Sequence, residues 1–369
     1  MKEKGVVGVL VEKKHLKLSK LFKTELGEVI KNPEVVYEEY GNKTGPVIFL
    51  GHGGLSSQHA AGKYSENDSN PGWWDPLIGE GKLLDTNKYR IICANSLGSM
   101  YGSTGPLTIN PDTGKMYGPD FPKITLIDQV KFYKYFLDEL EVKELFMMAG
   151  VSMGSLHTLQ MAVLYPDFVK SLVAVATAGY MPPGGLAFHN IMINILKLDP
   201  DFNRGWYECG VPQIGLSIIT QLSKIYYTNY KMFVELCESI TEGKDIQQLK
   251  NKKIKEFLQA GVKEAIETRD PNSYITMLEA INSYDLSRGF SSFKEAVKRI
   301  KCPALIMNID SDCEFPPEYA YEIGEILNNK KTGQARVEIL KSKMGHLGCI
   351  YEFGQLEKYI GDFIKALEH

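Results

Sequence analysis

Short apolar runs rich in β-branched residues alternate with stretches of helical periodicity along most of this chain. The strand candidates are residues 47–51, 89–95, 144–150, 171–178, 304–309 and 335–340. Between two of them, Leu126, Val130, Tyr133 and Leu137 recur at every third or fourth residue, which places one apolar stripe on a helix. This alternation is typical of a mostly parallel sheet that is covered by helices. The sequence therefore predicts an α/β fold.

The strand signals stop between about residues 179 and 298, where amphipathic helical patterns follow the helix-breaking segment MPPGG. The core is therefore predicted in two parts, residues 1–178 and 299–369, with a helical insertion at 179–298. In open α/β folds, ligands bind at the carboxyl edge of the sheet. We expect the insertion to form a lid over that edge.

Composition and charge argue against several classes of function. The 369 residues carry 42 Lys and Arg against 45 Asp and Glu, a net charge of -3, which favours neither a nucleic acid nor an anionic membrane as partner. The apolar run Val6–Val11 is too short to span a membrane. The six cysteines lie far apart without CxxC spacing, which argues against a disulfide framework and against a zinc site. We expect a cytoplasmic protein without a bound metal or cofactor.

Residues Gly150 to Gly154 read GVSMG and match the pattern GxSxG, in which a sharp turn between a strand and a helix exposes a serine hydroxyl. The pattern alone is a weak signal in a glycine-rich chain. Here it lies at the end of the strand candidate 144–150 and before a helical pattern at 154–165, which is the context that the pattern requires. Ser152 is the predicted nucleophile, and a purely structural serine is the alternative.

A serine nucleophile needs a base that takes its proton, and in this class of hydrolase the histidine comes last along the chain. Of the seven histidines, only His346 and His369 lie beyond the insertion, and His369 is the last residue. His346 follows the strand candidate 335–340. It is the predicted base, and a polar histidine on a surface loop is the alternative.

The acid that orients this histidine is expected on the loop after the strand candidate 304–309. The loop reads DSDCEFPP and offers Asp310, Asp312 and Glu314. Asp310 directly abuts the strand, where aspartate often caps a turn. We therefore predict Asp312 as the acid and keep the other two carboxylates as alternatives.

An oxyanion hole requires two backbone N–H groups that point at the developing negative charge. One comes from the residue after the nucleophile, which is Met153. The other is expected from the loop after an early strand, LGHGGLSS at 50–57, where Gly54 is the predicted donor. The alternative is that Gly54 only forms a turn.

Several longer segments resemble the homoserine O-acetyltransferases, and the resemblance covers most of the chain from about residue 35. The segments are HGGLSSQHAAG (52–62), GWWDPLIGEGKLLDTNKYRIICAN (72–95), YGSTGPLTINPDTGKMYGPDFP (101–122), GVSMGS (150–155), LYPD (164–167), DSDCEFPP (310–317) and GH (345–346). The resemblance implies an α/β-hydrolase fold with a helical lid. It also implies a ping-pong reaction of amino-acid biosynthesis leading to methionine, in which acetyl passes from acetyl-CoA to a serine and then to a hydroxyl acceptor.

The family pattern implies the same catalytic residues as the order along the chain. Ser152, Asp312 and His346 fall on the triad positions of the family, and Gly54 falls on its first oxyanion donor. The stretch TGPLTINPDTGKMYG also matches the family, although its residues alone indicate only a turn-rich loop.

Three positions depart from the family pattern, and all concern charges that would hold an amino-acid acceptor. Ile193 and Thr220 stand where the family has arginines, and Leu347 stands where it has an acid after the triad histidine. Homoserine is a zwitterion, so its burial requires a partner for each charge. We therefore expect homoserine to be a poor acceptor. A shift of three or four residues in the lid would instead bring Lys197 or Arg204 into an arginine position.

Two further classes of function stay open at this stage. An ester hydrolase would use the same triad, with water attacking the acyl-serine, and a binding protein on the same fold would use none of it. Transfer to an alcohol requires a site that excludes water, and the sequence does not reveal the shape of the site. The sequence also leaves open whether two copies form a homodimer through the lid.

Overall fold

The computed structural model describes residues 10–68, 70–208, 212–241, 245–328 and 335–368. Cys209, His369 and most of the apolar run Val6–Val11 lie outside these ranges. The five cysteines within them are free thiols. No helix in the described ranges is long and apolar enough to cross a membrane.

An eight-stranded sheet forms the centre of the fold. In chain order its strands are β1 (Lys14–Lys17), β2 (Glu34–Gly41), β3 (Val47–Gly51), β4 (Arg90–Ala94), β5 (Met147–Val151), β6 (Leu172–Val175), β7 (Ala304–Ile309) and β8 (Ala335–Leu340). Across the sheet they lie in the order β1, β2, β4, β3, β5, β6, β7, β8. Strand β2 pairs antiparallel with β1 and with β4, and the other neighbouring strands are parallel. The predicted α/β fold with a mostly parallel sheet is confirmed.

Helices cover the sheet and occupy most of the chain between β6 and β7. They are α1 (Leu126–Glu139), α2 (Met153–Leu164), α3 (Pro183–Leu198), α4 (Ile214–Tyr227), α5 (Tyr230–Glu238), α6 (Ile246–Gln259), α7 (Val262–Thr268), α8 (Pro271–Asn282), α9 (Phe293–Val297), α10 (Pro317–Asn328), α11 (Gly348–Tyr351) and α12 (Phe353–Leu367). Helix α2 packs against β3, β5 and β6, and α10 packs against β7 and β8. Every residue of β5, β6 and β7 is buried, as expected for parallel strands with both faces covered.

The helices α3 to α8 have a hydrophobic cluster of their own. Buried side chains in it include Met192, Leu196, Leu216, Ile219 and Tyr274. Helix α3 packs on α4 and α8, and α4 packs on α6 and α7. The helices of the insertion are therefore held together by apolar contacts separate from those of the main core. The boundaries at 178/179 and 298/299 remain predictions.

The structure has a strand at each of the six predicted sites, whereas β1 and β2 were not predicted. Strand β2 reads EVVYEEYG, and its charged residues obscure the apolar pattern of a buried strand. In the fold, Glu39 forms ion pairs of 2.6 Å with Lys14 of β1 and with Arg90 of β4. The fully buried Glu38 accepts a hydrogen bond of 2.7 Å from Tyr64. These charges are matched by residues that are remote in the chain.

Three glycines allow α2 to lie directly against the ends of two strands. A Cβ atom on Gly154 would lie 2.0 Å from the carbonyl oxygen of Gly51, and one on Gly150 would lie 2.1 Å from that of Gly154. Both distances are far below any real Cβ contact, and both neighbouring atoms belong to the backbone. The first turn of α2, the end of β3 and the end of β5 are therefore in contact through their main chains.

We expect Gly154→Ala to destabilise the fold by about 3 kcal/mol or more, because the added methyl overlaps backbone atoms that cannot move aside. Gly354→Ala is the matched control, since Gly354 lies in α12 with nothing within 4 Å of the added Cβ. This control should be neutral or stabilising by up to about 1 kcal/mol. Thermal unfolding of both variants measures the difference. Equal melting temperatures would contradict the close contact.

Candidate active site

Ser152 lies in the turn between β5 and α2 with a strained backbone. Its φ of 53° and ψ of −124° fall outside the regions that residues with a side chain favour. Hydrogen bonds hold this conformation: the Ser152 N–H donates to Val175 O at 2.9 Å, and Ser155 donates to Ser152 O from its backbone N–H at 2.8 Å and from its hydroxyl at 2.6 Å. The turn directs the Ser152 hydroxyl toward the carboxyl edge of the sheet.

His346 connects this hydroxyl to a carboxylate. Its Nε2 lies 2.8 Å from Ser152 Oγ, and its Nδ1 lies 2.7 Å from Asp312 Oδ2. Asp312 is fixed in turn, because its Oδ1 accepts the backbone N–H groups of Glu314 at 2.8 Å and Phe315 at 3.2 Å. His346 and Asp312 are both buried. The structure thus brings together the three residues predicted as nucleophile, base and acid, and their catalytic roles remain a proposal.

The two alternative acids lie elsewhere. The Asp310 Oδ1 accepts the Ser342 N–H at 3.0 Å, and its Oδ2 lies 3.4 Å from the ammonium of Lys341. Glu314 lies on the opposite side of the imidazole from Asp312, with Oε2 3.5 Å from His346 Nε2. Asp312 is the carboxylate that contacts Nδ1.

The carboxylates control the protonation of His346. Burial by itself lowers the pKa of the imidazole, but Asp312 first and Glu314 second outweigh burial and raise the pKa to about 9. His52 shows the effect of burial without a carboxylate, which lowers its pKa to about 4. The imidazolium that forms when His346 accepts a proton is therefore stabilised, and the neutral imidazole that can take the Ser152 proton is the minor form at neutral pH.

Gly54 and Met153 provide two adjacent backbone N–H groups beside Ser152. A Cβ atom on Gly54 would lie 4.0 Å from Met153 Cβ, and both residues line the same cavity as Ser152. Within the described residues, neither N–H donates to another part of the chain. Gly54 does not have a positive φ, whereas a Cβ there would meet Ile281 Cδ1 at 3.0 Å, so lack of space, not turn geometry, favours glycine. Their assignment to an oxyanion hole remains a proposal.

The Ser152 hydroxyl faces a cavity of about 320 Å³ between the core and the inserted helices. Apolar side chains from both parts form most of its wall: Trp73, Leu156, Met277, Leu278, Ile281 and Phe315. The polar side chains include His189, Tyr227, Tyr274 and Glu314. No Lys or Arg of the described chain lines it. No group of three or more described His, Cys, Asp or Glu side chains is arranged to hold a metal ion.

The positions that depart from the family pattern lie in different places. Leu347 lines the cavity, but Ile193 and Thr220 are buried in the packing of the insertion and are not among the lining residues. The Thr220 hydroxyl donates to Leu216 O at 2.7 Å. Lys197 and Arg204 line a second cavity of about 280 Å³. Neither Lys197 nor Arg204 therefore replaces a missing arginine beside Ser152.

The sequence does not predict the roles of two residues that line the cavity. Its pattern indicates Glu314 only as an alternative triad acid, and it gives no role to His189, which lies within the insertion. The structure places them in contact, with His189 Nε2 3.1 Å from Glu314 Oε1. The acidic character of the DSDCEFPP loop was the only available signal for Glu314, and nothing in the sequence connected it to His189.

A sheet of this topology, with a serine in a strained turn after β5 and a histidine after β8, defines an α/β hydrolase. In agreement, the family described as the alpha/beta hydrolase fold matches residues 46–352.

Similar proteins show to which family of α/β hydrolases the chain belongs. The chain is 36% identical to a homoserine O-acetyltransferase of Moorella thermoacetica over 93% of each chain, and 36% identical to that of Deferribacter desulfuricans over 100% of this chain and 98% of the relative. Its structure resembles the homoserine O-acetyltransferase from Bacillus anthracis, with a TM-score of 0.88, 27% identity and coverage of 96% and 98%. It also resembles esterase E22, with a TM-score of 0.87, 28% identity and coverage of 96% and 100%. The chain belongs to the homoserine O-acetyltransferase family of α/β hydrolases.

We expect Ser152→Ala to abolish covalent acetylation and turnover with an unchanged fold, because the hydroxyl is the attachment point of the acyl group. His346→Ala should be nearly as damaging. Mass spectrometry after incubation with p-nitrophenyl acetate detects the acetylated peptide. An acetylated Ser152→Ala enzyme with normal turnover would contradict the role of Ser152.

Asp312→Asn should lower kcat by about three to four orders of magnitude and leave measurable activity, since Asp312 orients the imidazole without bonding to substrate. Asp310→Asn is the matched control on the same loop and should stay within about threefold of wild type, because Asp310 bonds to Ser342 and Lys341 instead. Steady-state kinetics of both variants decides between the two carboxylates. The reverse order of damage would transfer the acid role to Asp310.

Proposed function

We propose that the protein is an O-acyltransferase that carries acetyl from acetyl-CoA to a hydroxyl acceptor by way of an acetyl-Ser152 intermediate. The observation that carries the proposal is the hydrogen-bonded series Ser152, His346 and Asp312 in a chain of the homoserine O-acetyltransferase family. We further propose that it acts in the cytoplasm, because the buried Cys93 and Cys349 are free thiols.

In the first half-reaction, His346 Nε2 takes the proton of Ser152 while Ser152 Oγ attacks the thioester carbonyl carbon. The carbonyl oxygen becomes negative and accepts from the N–H groups of Gly54 and Met153. The tetrahedral intermediate then collapses. The carbon–sulfur bond breaks, the thiol of CoA leaves with the proton from His346, and the acetyl group stays on Ser152.

In the second half-reaction, the acceptor hydroxyl gives its proton to His346 Nε2 and attacks the acetyl carbonyl. The same two N–H groups stabilise the oxyanion. The bond to Ser152 Oγ breaks, and the serine recovers its proton from His346. Asp312 supports both steps by accepting from Nδ1, which stabilises the imidazolium and fixes its orientation.

Ester hydrolysis is the second candidate function, and the likeness to esterase E22 favours keeping it. Water in place of the alcohol would complete the second half-reaction with the same residues. The apolar side chains that form most of the cavity wall support transfer, because they reduce the access of water to the acyl-serine.

Incubation with acetyl-CoA distinguishes the two functions when free thiol and acetyl ester are followed together. We expect thiol release to be slow without an acceptor and to increase at least about tenfold when an alcohol is added, with one acetyl ester formed for each thiol. Thiol release that the alcohol does not accelerate, with acetate as product, would establish a hydrolase.

Homoserine should be a poorer acceptor than the neutral isoamyl alcohol, because its carboxylate would lose hydration beside a wall without Lys or Arg in the described residues. An apolar site discriminates more strongly against charge than against shape. We expect kcat/KM for homoserine to be at least about tenfold lower. A preference for homoserine would mean that a cation reaches the carboxylate after all.

We also propose that two copies of the chain associate through the lid. Ile214, Ile218 and Ile225 lie on one side of α4 and are exposed. Exposed Tyr230 and Val234 on the following helix α5 extend the apolar surface. An apolar surface of several adjacent side chains is typical of an interface between subunits.

Ile218→Lys should convert the dimer to a monomer, because the interface would bury an unpaired charge. Ile109→Lys makes the same change at an exposed isoleucine outside the insertion and should leave the dimer intact. Light scattering on both variants gives the mass in solution. A wild-type monomer, or dimers of both variants, would contradict association through α4.

A further inference from the structure

The carboxylate of Glu314 is buried yet faces the active-site cavity. The residue is 3% exposed and lines the cavity beside Ser152 and His346. Its backbone is fixed because the Glu314 N–H donates to Asp312 Oδ1 at 2.8 Å. The loop after β7 thus delivers two carboxylates to the imidazole of His346, one on the Nδ1 side and one on the Nε2 side.

No described group donates a hydrogen bond of good geometry to this carboxylate. Its contacts with titratable groups are two imidazoles, His189 Nε2 at 3.1 Å from Oε1 and His346 Nε2 at 3.5 Å from Oε2. Its other neighbours include the Tyr226 and Tyr227 rings, and its charge, after burial, raises the pKa of both. An ionised carboxylate offers about four lone-pair positions, and leaving them unfilled inside a protein is costly. Glu314 therefore has acceptor capacity for a ligand in the cavity.

The wall around Glu314 is built by the insertion. His189 belongs to α3, and its Nδ1 lies 2.7 Å from Asn282 Oδ1 at the end of α8. His189 is 2% exposed, so the protein holds its ring in place. Two helices of the insertion thus fix the imidazole beside Glu314, and the backbone hydrogen bond to Asp312 fixes the loop that carries the carboxylate.

The position of Glu314 relates directly to the second half-reaction. The reacting oxygen of an acceptor must come within about 3 Å of His346 Nε2 to give up its proton. Glu314 Oε2 lies 3.5 Å from the same nitrogen. A substituent a few bonds away from the reacting hydroxyl can therefore reach the carboxylate. A positively charged hydrogen-bond donor would bind Glu314 most strongly. A carboxylate on the acyl acceptor would be repelled by the negative charge of Glu314.

On the basis of the proposed acyl transfer, we propose that Glu314, which lies beside His189, forms an acceptor subsite for an ammonium group. The preferred acceptor is then an amino alcohol that carries no carboxylate near the amine. N–H donors of the ammonium fill free lone-pair positions of Glu314, and the opposite charges attract. The apolar remainder of the wall contacts the carbon chain.

A pair of acceptors with the same shape tests the subsite. One is isoamyl alcohol, and the other is its amino analogue, in which an ammonium group replaces one terminal methyl group. The acetyl-enzyme is formed from p-nitrophenyl acetate, so the measurement does not depend on acetyl-CoA. We expect the amino analogue to capture acetyl at least about tenfold better than isoamyl alcohol when both compete for the wild-type acetyl-enzyme.

Glu314→Gln keeps the shape of the side chain and removes its charge. It should reduce this preference to about unity, whatever it does to the absolute rates, because loss of the charge beside His346 affects the reaction with both alcohols alike. Glu318→Gln is the matched control, because Glu318 is exposed on α10 and should leave the preference unchanged. The ratio is measured within one preparation, so the fraction of folded enzyme cancels. An unchanged ratio in Glu314→Gln, or a wild-type preference for isoamyl alcohol, would overturn the proposal.

Binding of the two alcohols to a variant without the nucleophile tests the subsite independently of the reaction. Calorimetry with Ser152→Ala enzyme should show the amino analogue binding at least about tenfold more tightly than isoamyl alcohol, and adding Glu314→Gln should remove the difference. Equal binding of both alcohols to the single variant would overturn the subsite whatever the reaction is. A clear difference combined with no thiol release from acetyl-CoA would refute acyl transfer from CoA and leave the subsite standing.

Discussion

The main-chain contact between the first turn of α2 and the ends of β3 and β5 positions the rest of the active site. Gly51, Gly150 and Gly154 meet there without side chains, and no other residue fits at Gly154. The closeness of helix and strands forces the intervening Ser152 into its strained conformation. The same turn places the N–H of Met153 next to Gly54, which follows β3. Nucleophile and proposed oxyanion donors are thus set by a single packing contact.

The distinction between transfer and hydrolysis lies in the wall that faces this turn. A serine, a histidine and an aspartate in this arrangement form an acyl-enzyme in either case. What happens next depends on which molecule can approach His346 Nε2. Side chains from α3, α4 and α8, namely His189, Tyr227 and Tyr274, line one part of this wall, and Glu314 of the core lines another. Insertion and core therefore shape the space for the acceptor together.

The local pattern was sufficient to predict the central strands and the turn at Ser152, since each depends on residues close in the chain. The predicted Ser152, His346 and Asp312 lie in one hydrogen-bonded series, and their catalytic roles remain a proposal. Strands β1 and β2 were missed because their polar residues are matched by remote partners, as Glu39 is by Lys14 and Arg90. The contact between Glu314 and His189 was not predictable for the same reason, because it joins a loop of the core to a helix of the insertion. Resemblance to the family identified Ile193 and Thr220 but could not determine that neither residue lines the cavity. Sequence patterns do not reveal contacts between residues that belong to different layers of the fold.

The interruption of the core by the insertion also governs when the site can form. Strand β6 ends at Val175, and its neighbour β7 begins only at Ala304. During synthesis from the amino end, β6 remains an unpaired sheet edge while the whole insertion is made, and the insertion can fold in that interval. His346 is made after both. A ribosome-bound chain can therefore contain the serine turn and the insertion before it contains His346, and the hydrogen-bonded series of Ser152, His346 and Asp312 forms only after β7 and β8 have joined the sheet.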